Sequence, residues 1–241
     1  MYKTYILLFF YLCLLLTACQ SETEYYKIDW SVKLALPEPS GLAYDKLRDE
    51  LWSVSDENHG IYQLSTNGEI LKRVEIPDGD LEGIAFVDDS TLAVLSEESR
   101  EVVFVSINGK VIDRKPVFDN GVFNNGPEGI AYDADNKTYW VANEKNPALI
   151  VKYDSLFNEI ERKEIDFVRD VSGLFYDNVD NSLWMTSDED NKILKLDTEL
   201  NILKAYDTNI KQMEGIAIDH KNKAIYIVSD SEEKLYGLKL K

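Results

Sequence analysis

From residue 28 onward, short apolar runs alternate with turn residues, and one version of the pattern is written five times. Pro39-Ser40-Gly41-Leu42-Ala43-Tyr44 returns as Leu81-Glu82-Gly83-Ile84-Ala85-Phe86 and as Pro127-Glu128-Gly129-Ile130-Ala131-Tyr132. It returns again as Val171-Ser172-Gly173-Leu174-Phe175-Tyr176 and Met213-Glu214-Gly215-Ile216-Ala217-Ile218. The glycines are 42, 46, 44 and 42 residues apart. Runs rich in β-branched and aromatic residues follow each copy, the pattern of half-buried strands. In the first copy strands are predicted over residues 41–45, 51–55, 61–64 and 70–76, with turn residues at Asp45-Lys46, Asp56-Glu57-Asn58 and Asn67-Gly68. Asn67-Gly68 and Asn108-Gly109 suit tight hairpins. From the glycine to the third strand is 20 residues in four copies and 19 in the second. No helical period of useful length appears. A period in the forties made of four short strands predicts an all-β fold, a β-propeller of four-stranded blades.

The fifth copy stops after its third strand, residues 235–240, while an unassigned alternating run, residues 28–36, precedes the first copy. Giving that run to the fifth blade completes five blades. It also pairs the chain start with the chain end and removes a loose sheet edge. A six-bladed ring is the alternative, although no residues are left to build the sixth blade.

The chain before this region has a different pattern. Met1-Tyr2-Lys3 is a short basic start, and residues 5–16 are almost continuously apolar. A run of about a dozen is too short for a comfortable membrane span, which needs ~20 residues, and suits a signal-peptide core. It ends in Leu16-Thr17-Ala18-Cys19, which looks like a bacterial lipobox with Cys19 as the lipidated residue. The expected organisation is a signal peptide over 1–18, a lipidated tether over 19–26 and a propeller over 27–241. Gln20 after the cysteine favours, by the usual sorting rule, the outer membrane of the cell envelope, on its periplasmic or its surface face. Cys13 and Cys19 are the only cysteines, so a disulfide framework is excluded from the mature domain. Losing the leader removes Lys3 alone, leaving 25 basic against 44 acidic residues, a charge of −19. Such a charge repels nucleic acid and tolerates cations. A monomer is expected.

Register turns the repeat into a map of one rim. The innermost strand of a propeller lines the axial channel. The first two strands of a blade are antiparallel, so the start of one and the end of the other lie at the same face. The residue before each glycine is Ser40, Glu82, Glu128, Ser172 or Glu214. At the end of the second strand stand Asp56, Glu97, Glu144, Asp188 and Asp230, each after a small polar residue: Ser55, Ser96, Asn143, Ser187 or Ser229. Glu57, Glu98 and Glu189 come next. At about 6 Å and an effective dielectric near 20, each like-charged pair repels by roughly 3 kcal/mol. Protons held at raised pKa values would relieve this, and a hard cation would do so better, since Ca²⁺ takes about six to eight oxygen ligands. Two histidines, with both cysteines in the leader segment, do not suit a zinc or copper site. The strand-end acids equally suit turn chemistry, in which carboxylates accept backbone N–H groups.

The segment Glu128-Gly129-Ile130-Ala131-Tyr132, with Trp140-Val141-Ala142-Asn143-Glu144 after it, and Trp52-Ser53-Val54-Ser55-Asp56-Glu57 resemble the SdiA-regulated family of bacterial envelope proteins. More distantly the chain is similar to NHL-repeat and paraoxonase-like propellers. The resemblance covers nearly all of residues 25–241. It implies five blades and a calcium site in the channel region, with Glu82, Glu128 and Glu214 as ligands and Asn143, Glu144, Asp188 and Asp230 as outer candidates. Ser40 and Ser172 replace glutamate in two blades, so the implied site is asymmetric, toward blades 2, 3 and 5. Ligand contacts are expected from Asp56, Glu97 and His59. Asn124 and Asn125 join them, in the long connection over residues 118–125 between blades 2 and 3.

Three function classes remain open. The first is a calcium-stabilised binding module that presents this mouth to a small molecule or an envelope protein. The second is a metal-dependent hydrolase or lactonase of the paraoxonase sort, and the third an interaction protein without metal. His59 falls at the acidic face and His220 at the opposite one, so no histidine dyad is expected, and each reads as a solvated loop residue. No Gly-x-Ser-x-Gly elbow, phosphate-cradling loop or metalloprotease His-Glu pair occurs. Trp52, Trp140 and Trp184 recur in the second strand and are expected in the core rather than as sugar platforms.

Overall fold

The computed structural model describes residues 24–118 and 126–241. Among these residues there are strands and no helix. Two strands, β1 (Glu24–Tyr25) and β2 (Ile28–Lys33), precede the first repeat. Blade 1 is β3 (Pro39–Asp45), β4 (Glu50–Ser55), β5 (Gly60–Ser65) and β6 (Ile70–Glu75). Blade 2 is β7 (Leu81–Asp88), β8 (Thr91–Ser96), β9 (Glu101–Ser106) and β10 (Val111–Pro116). Blade 3 is β11 (Pro127–Asp133), β12 (Thr138–Asn143), β13 (Leu149–Tyr153) and β14 (Glu159–Glu164). Blade 4 is β15 (Gly173–Asp177), β16 (Ser182–Ser187), β17 (Lys192–Leu196) and β18 (Ile202–Asp207). Blade 5 takes β19 (Met213–Asp219), β20 (Ala224–Ser229) and β21 (Lys234–Lys239) from the end of the chain and β2 from its start.

The ring closes as the repeat requires, with β2 antiparallel to β21 from Ile28–Leu238 to Lys33–Lys234. The closing strand is shorter than the predicted 28–36. Leu34 and Leu36 leave it to fill the seam between blades 5 and 1. The segment expected as a tether also enters the fold earlier than predicted. β1 runs parallel to β18 of blade 4. Tyr26 is buried, meets the Tyr206 ring edge-on at 4.6 Å, and donates its hydroxyl to the Lys239 carbonyl of blade 5 at 2.8 Å. Residues 24–26 thus strap two blades together.

Burial falls from the axis outward. β12 and β16 are buried throughout, whereas β14 (Glu-Ile-Glu-Arg-Lys-Glu) has no buried residue. Each of the five seams between blades holds one apolar cluster, and a ring of five has five seams. Trp52 lies in the seam of blades 1 and 2, Trp140 in that of 3 and 4, and Trp184 in that of 4 and 5, all core residues as expected. Full burial of a Leu, Ile or Val side chain contributes about 1.5–3 kcal/mol, so these seams carry the stability of a domain that has no disulfide.

The repeated glycine allows the inner strands to meet. A Cβ on Gly41 would lie 2.4 Å from the Glu82 carbonyl oxygen, and one on Gly215 only 2.2 Å from the Leu42 nitrogen. Backbone therefore packs on backbone around the axis and draws the channel into a waist. The two mouths on either side of it have different chemistry.

Candidate functional site

Strand alternation by itself would not turn the residue before each glycine inward. In blades 1, 2, 3 and 5 the register between the first two strands slips at this place, within Pro39–Leu42, Leu81–Ile84, Pro127–Gly129 and Met213–Ile216. Such a bulge adds a residue and re-aims its side chain. Ser40, Glu82, Glu128, Ser172 and Glu214 all line one cavity of about 200 Å³ at this mouth, together with Asp56, Glu144, Asp188 and Asp230.

Among the described residues no hydrogen bond or ion pair reaches the carboxylates of Glu128 or Glu214. Burial drives both well above the usual carboxylate range. Glu82 and then Glu214 add to this at Glu128, and Glu82, Asp188 and Asp230 add to it at Glu214. Glu82 is buried and accepts the Ser40 hydroxyl at 2.5 Å. Burial raises it to about 8, opposed by that hydrogen bond and reinforced by Asp56, Asp80 and Glu97. Asp56 is raised to about 7, by burial first and then by Asp80, Glu38 and Asp230. Glu97 is raised by burial and by Asp80, although it also accepts the Gly126 N–H. Burial raises Asp188 and Asp230 as well, and one oxygen of Asp230 is buried without a partner. The mouth holds charge-bearing groups that are costly to charge.

Oxygens of Asp56, Asp80 and Glu82 lie within 4.8 Å of one another. Two ligands of one Ca²⁺ are at most about 4.8 Å apart, twice a bond of ~2.4 Å, so this trio fits a single calcium sphere. The donors are all oxygens, which suits a hard cation.

The expected site residues divide into three groups. Glu82, Glu128, Glu214, Glu144, Asp188, Asp230 and Asp56 meet around the cavity. Asn143 does not. It is fully buried, with its amide nitrogen donating to the Lys145 and Pro147 carbonyls at 3.0 and 2.8 Å, and it closes the turn after β12 instead of facing the mouth. Glu144 lines the cavity but pairs with Lys145 at 2.6 Å, and Lys145 also reaches Glu189 of blade 4 at 3.1 Å. His59 sits beside the trio and accepts the Asp80 N–H on Nδ1 at 3.0 Å, so it orders the loop that carries Asp80. Cys19, Asn124 and Asn125 lie outside the described residues.

Asp80, Asp170, Glu38 and Lys145 belong to this mouth and were not anticipated. The first three had a legible signal, since they occupy the position three before the glycine. That position reads Glu38, Asp80, Gly126, Asp170 and Gln212 along the five blades. In blades 1 and 4, where serine replaces the inner glutamate, this position is acidic. Asp170, unlike Glu128 and Glu214, is satisfied by the fold. It accepts the hydroxyls of Ser187 at 2.5 Å and Ser172 at 2.8 Å and the N–H groups of Asp188 at 2.9 Å and Glu189 at 3.1 Å. The small polar residues before the strand-end acids are structural too. Ser55, Ser96 and Ser187 each accept the N–H three residues on, which shapes the turn.

At the opposite face His220 is not simply solvated. Its Nε2 lies 2.8 and 2.7 Å from the two oxygens of buried Asp177 in the next blade.

The sequence matches the SdiA-regulated family over residues 22–236. Among solved structures, the glutaminyl cyclase of Myxococcus xanthus superposes with a TM-score of 0.73 at 12% identity, covering 90% of this chain and 97% of that one. A luciferin-regenerating enzyme gives 0.58 at 12% identity, with coverage of 87% and 95%. A catalytically inactive virginiamycin B lyase from Staphylococcus aureus, crystallised with quinupristin, gives 0.53 at 18%, with coverage of 84% and 66%. At these identities the likeness is one of fold.

Proposed function

The chain belongs to the SdiA-regulated family, and from the acidic mouth of its propeller we propose that it is a calcium-binding envelope module that presents this mouth to a small molecule or a partner protein. One observation carries the reading. Glu82, Glu128 and Glu214 converge on one cavity with pKa values raised by burial and by neighbouring acids, and Lys145 is the one cation among the described residues that line it. A divalent cation removes that cost, and the Asp56–Asp80–Glu82 trio supplies a first set of oxygens at workable separations. Bound calcium would link blades 1 and 2 through these side chains and leave the rest of the rim, including Ser40 and Ser172, to a ligand. The apolar leader ending at Cys19 supports lipid attachment in the bacterial envelope, with the outer membrane favoured by Gln20.

Calcium titration by calorimetry, with melting temperature in calcium against chelator, tests this. Saturable heat and a rise in melting temperature are expected. Loss of the heat in Glu128→Gln would place the ion in the channel. No heat and no shift would end the reading and leave an interaction protein without metal.

A second reading is a metal-dependent hydrolase acting on lactones or phosphoesters. Asp188 and Asp230 stand outside the calcium trio with pKa values raised by burial, and a raised carboxyl can serve as a general acid or base. Several proteins of similar fold are named as enzymes. Screening both substrate classes with and without calcium decides it, and no metal-dependent turnover would remove it.

A further inference from the structure

Beyond the waist, at the face of the turns between first and second strands, the inner strands enclose a second cavity of about 330 Å³. That volume is near the lower end of the range of about 300–1,000 Å³ typical of small-molecule sites. Residues of all five blades line it, and Tyr44, Phe86, Tyr132 and Phe175 bring four aromatic rings, each only partly buried. Phe86 is braced edge-on by Trp52, and Tyr132 packs against the tilted ring of Tyr139 at 4.7 Å, so both rings are held in place.

Two features distinguish this cavity from a packing defect. The first is Phe175. The other four copies have alanine at its position: Ala43, Ala85, Ala131 and Ala217. The Phe175 ring packs against both the blade 4–5 cluster and the blade 5–1 cluster, so it passes the inner edge of blade 5 and closes the cavity from one side. The second is the pair of Asp177 and His220. The buried carboxylate holds the imidazole of the neighbouring blade by Nε2, and both residues line the cavity. Because a carboxylate accepts, Nε2 carries the proton, and Nδ1 has no partner among the described residues. One oriented polar atom thus stands beside an aromatic pocket.

We propose that this vestibule binds a small neutral molecule of one or two fused rings bearing a hydroxyl, with the rings among Tyr44, Phe86, Tyr132 and Phe175 and the hydroxyl on Nδ1 of His220. A hydroxyl suits this atom in either protonation state of the ring, since it can donate to a neutral imidazole and accept from an imidazolium. An anion is disfavoured, since Asp45, Asp88, Asp89 and Asp177 line the cavity against Lys46 and Lys221. The glycine waist separates this site from the acidic mouth, so occupancy does not require calcium.

The probe is 2-naphthol, titrated by calorimetry and by NMR chemical-shift mapping, in calcium and in chelator. Saturable binding is expected in both buffers, with shifts at the inner-strand residues near Phe175. Phe175→Ala restores the residue of the other four blades and is expected to fold and to weaken binding at least tenfold. His220→Gln is expected to weaken 2-naphthol at least threefold and naphthalene hardly at all. Should Phe175→Ala unfold early by thermal scan, Ala85→Phe adds a ring to the cavity lining from blade 2 and is expected to abolish binding. No saturable heat, equal affinity in wild type and the folded variants, or tighter binding of 2-naphthalenesulfonate than of 2-naphthol would each overturn the proposal.

Discussion

Glu82 and Phe86 lie on one strand, as do Glu128 and Tyr132, four residues and about 13 Å apart. One end of each strand lines an acidic cavity and the other an aromatic one. Acids are plentiful at both ends, and the difference is in what they meet. At the aromatic end Asp45 accepts the Leu47 and Arg48 N–H groups and the Arg48 guanidinium. Asp133 likewise takes the Asp135 and Asn136 N–H groups, and Asp219 that of Asn222. Tight turns there supply donors, and the carboxylates are consumed in shaping them. At the acidic end the bulges point Glu128 and Glu214 at the axis, where no backbone donor among the described residues reaches them. Counting acids therefore does not find a site; counting acids that the fold leaves unsatisfied does.

The waist that keeps the mouths apart gives the largest expected effect. Gly215→Ala places a Cβ against the Leu42 backbone and should cost about 3 kcal/mol or more, or prevent folding, by denaturant unfolding. Intact stability would mean that the inner strands can separate and the two mouths communicate. Next in size is a contrast within the acidic mouth. Asp170→Asn breaks a satisfied buried cap and should cost about 1–3 kcal/mol with or without calcium. Glu128→Gln should do the opposite, lowering calcium affinity at least tenfold while raising the melting temperature in chelator. If the two variants behaved alike, satisfaction would not be what separates these acids.

The pH dependence has a definite sign. A carboxyl raised to about 8 in the folded protein, as Glu82 is, holds its proton in the native state at a pH where the unfolded chain has lost it. The native state then binds more protons, so stability falls as pH rises from the ordinary carboxylate range through about 8. Metal-free protein should melt lower at pH 8 than at pH 5, and calcium should remove most of that drop. A flat profile in chelator would contradict the raised values. The smallest effect is expected from Lys145→Met, which removes a cation from the mouth and should tighten calcium about two- to threefold, as an exposed ion pair is worth about 0.2–1 kcal/mol.

Much of this was readable along the chain. The spacing of Gly41, Gly83, Gly129, Gly173 and Gly215 determined the blade count. The missing last strand and the spare run before the first repeat determined how the ring closes. Register placed Asp56, Glu82, Glu128, Asp188, Glu214 and Asp230 at one face, and strand phase placed Trp52, Trp140 and Trp184 in the core. Those are properties of period and alternation, which are local and survive transcription into a one-dimensional pattern.

What only the tertiary structure decided is where each polar atom finds its partner. Asn143 and Glu144 are neighbours in sequence, yet one turns inward to close a loop and the other meets Lys145 at the mouth. Asp80 and Asp170 share a register position, yet one joins Asp56 and Glu82 in a close trio of carboxylates and the other is satisfied by two hydroxyls and two N–H groups. Phe175 could be seen to depart from alanine, but not that its ring would pass blade 5 and close a cavity. The physical reason is the same in each case. A repeat dictates which face a residue occupies, whereas the donors, charges and free space around it come from other blades, brought near only when the ring is closed.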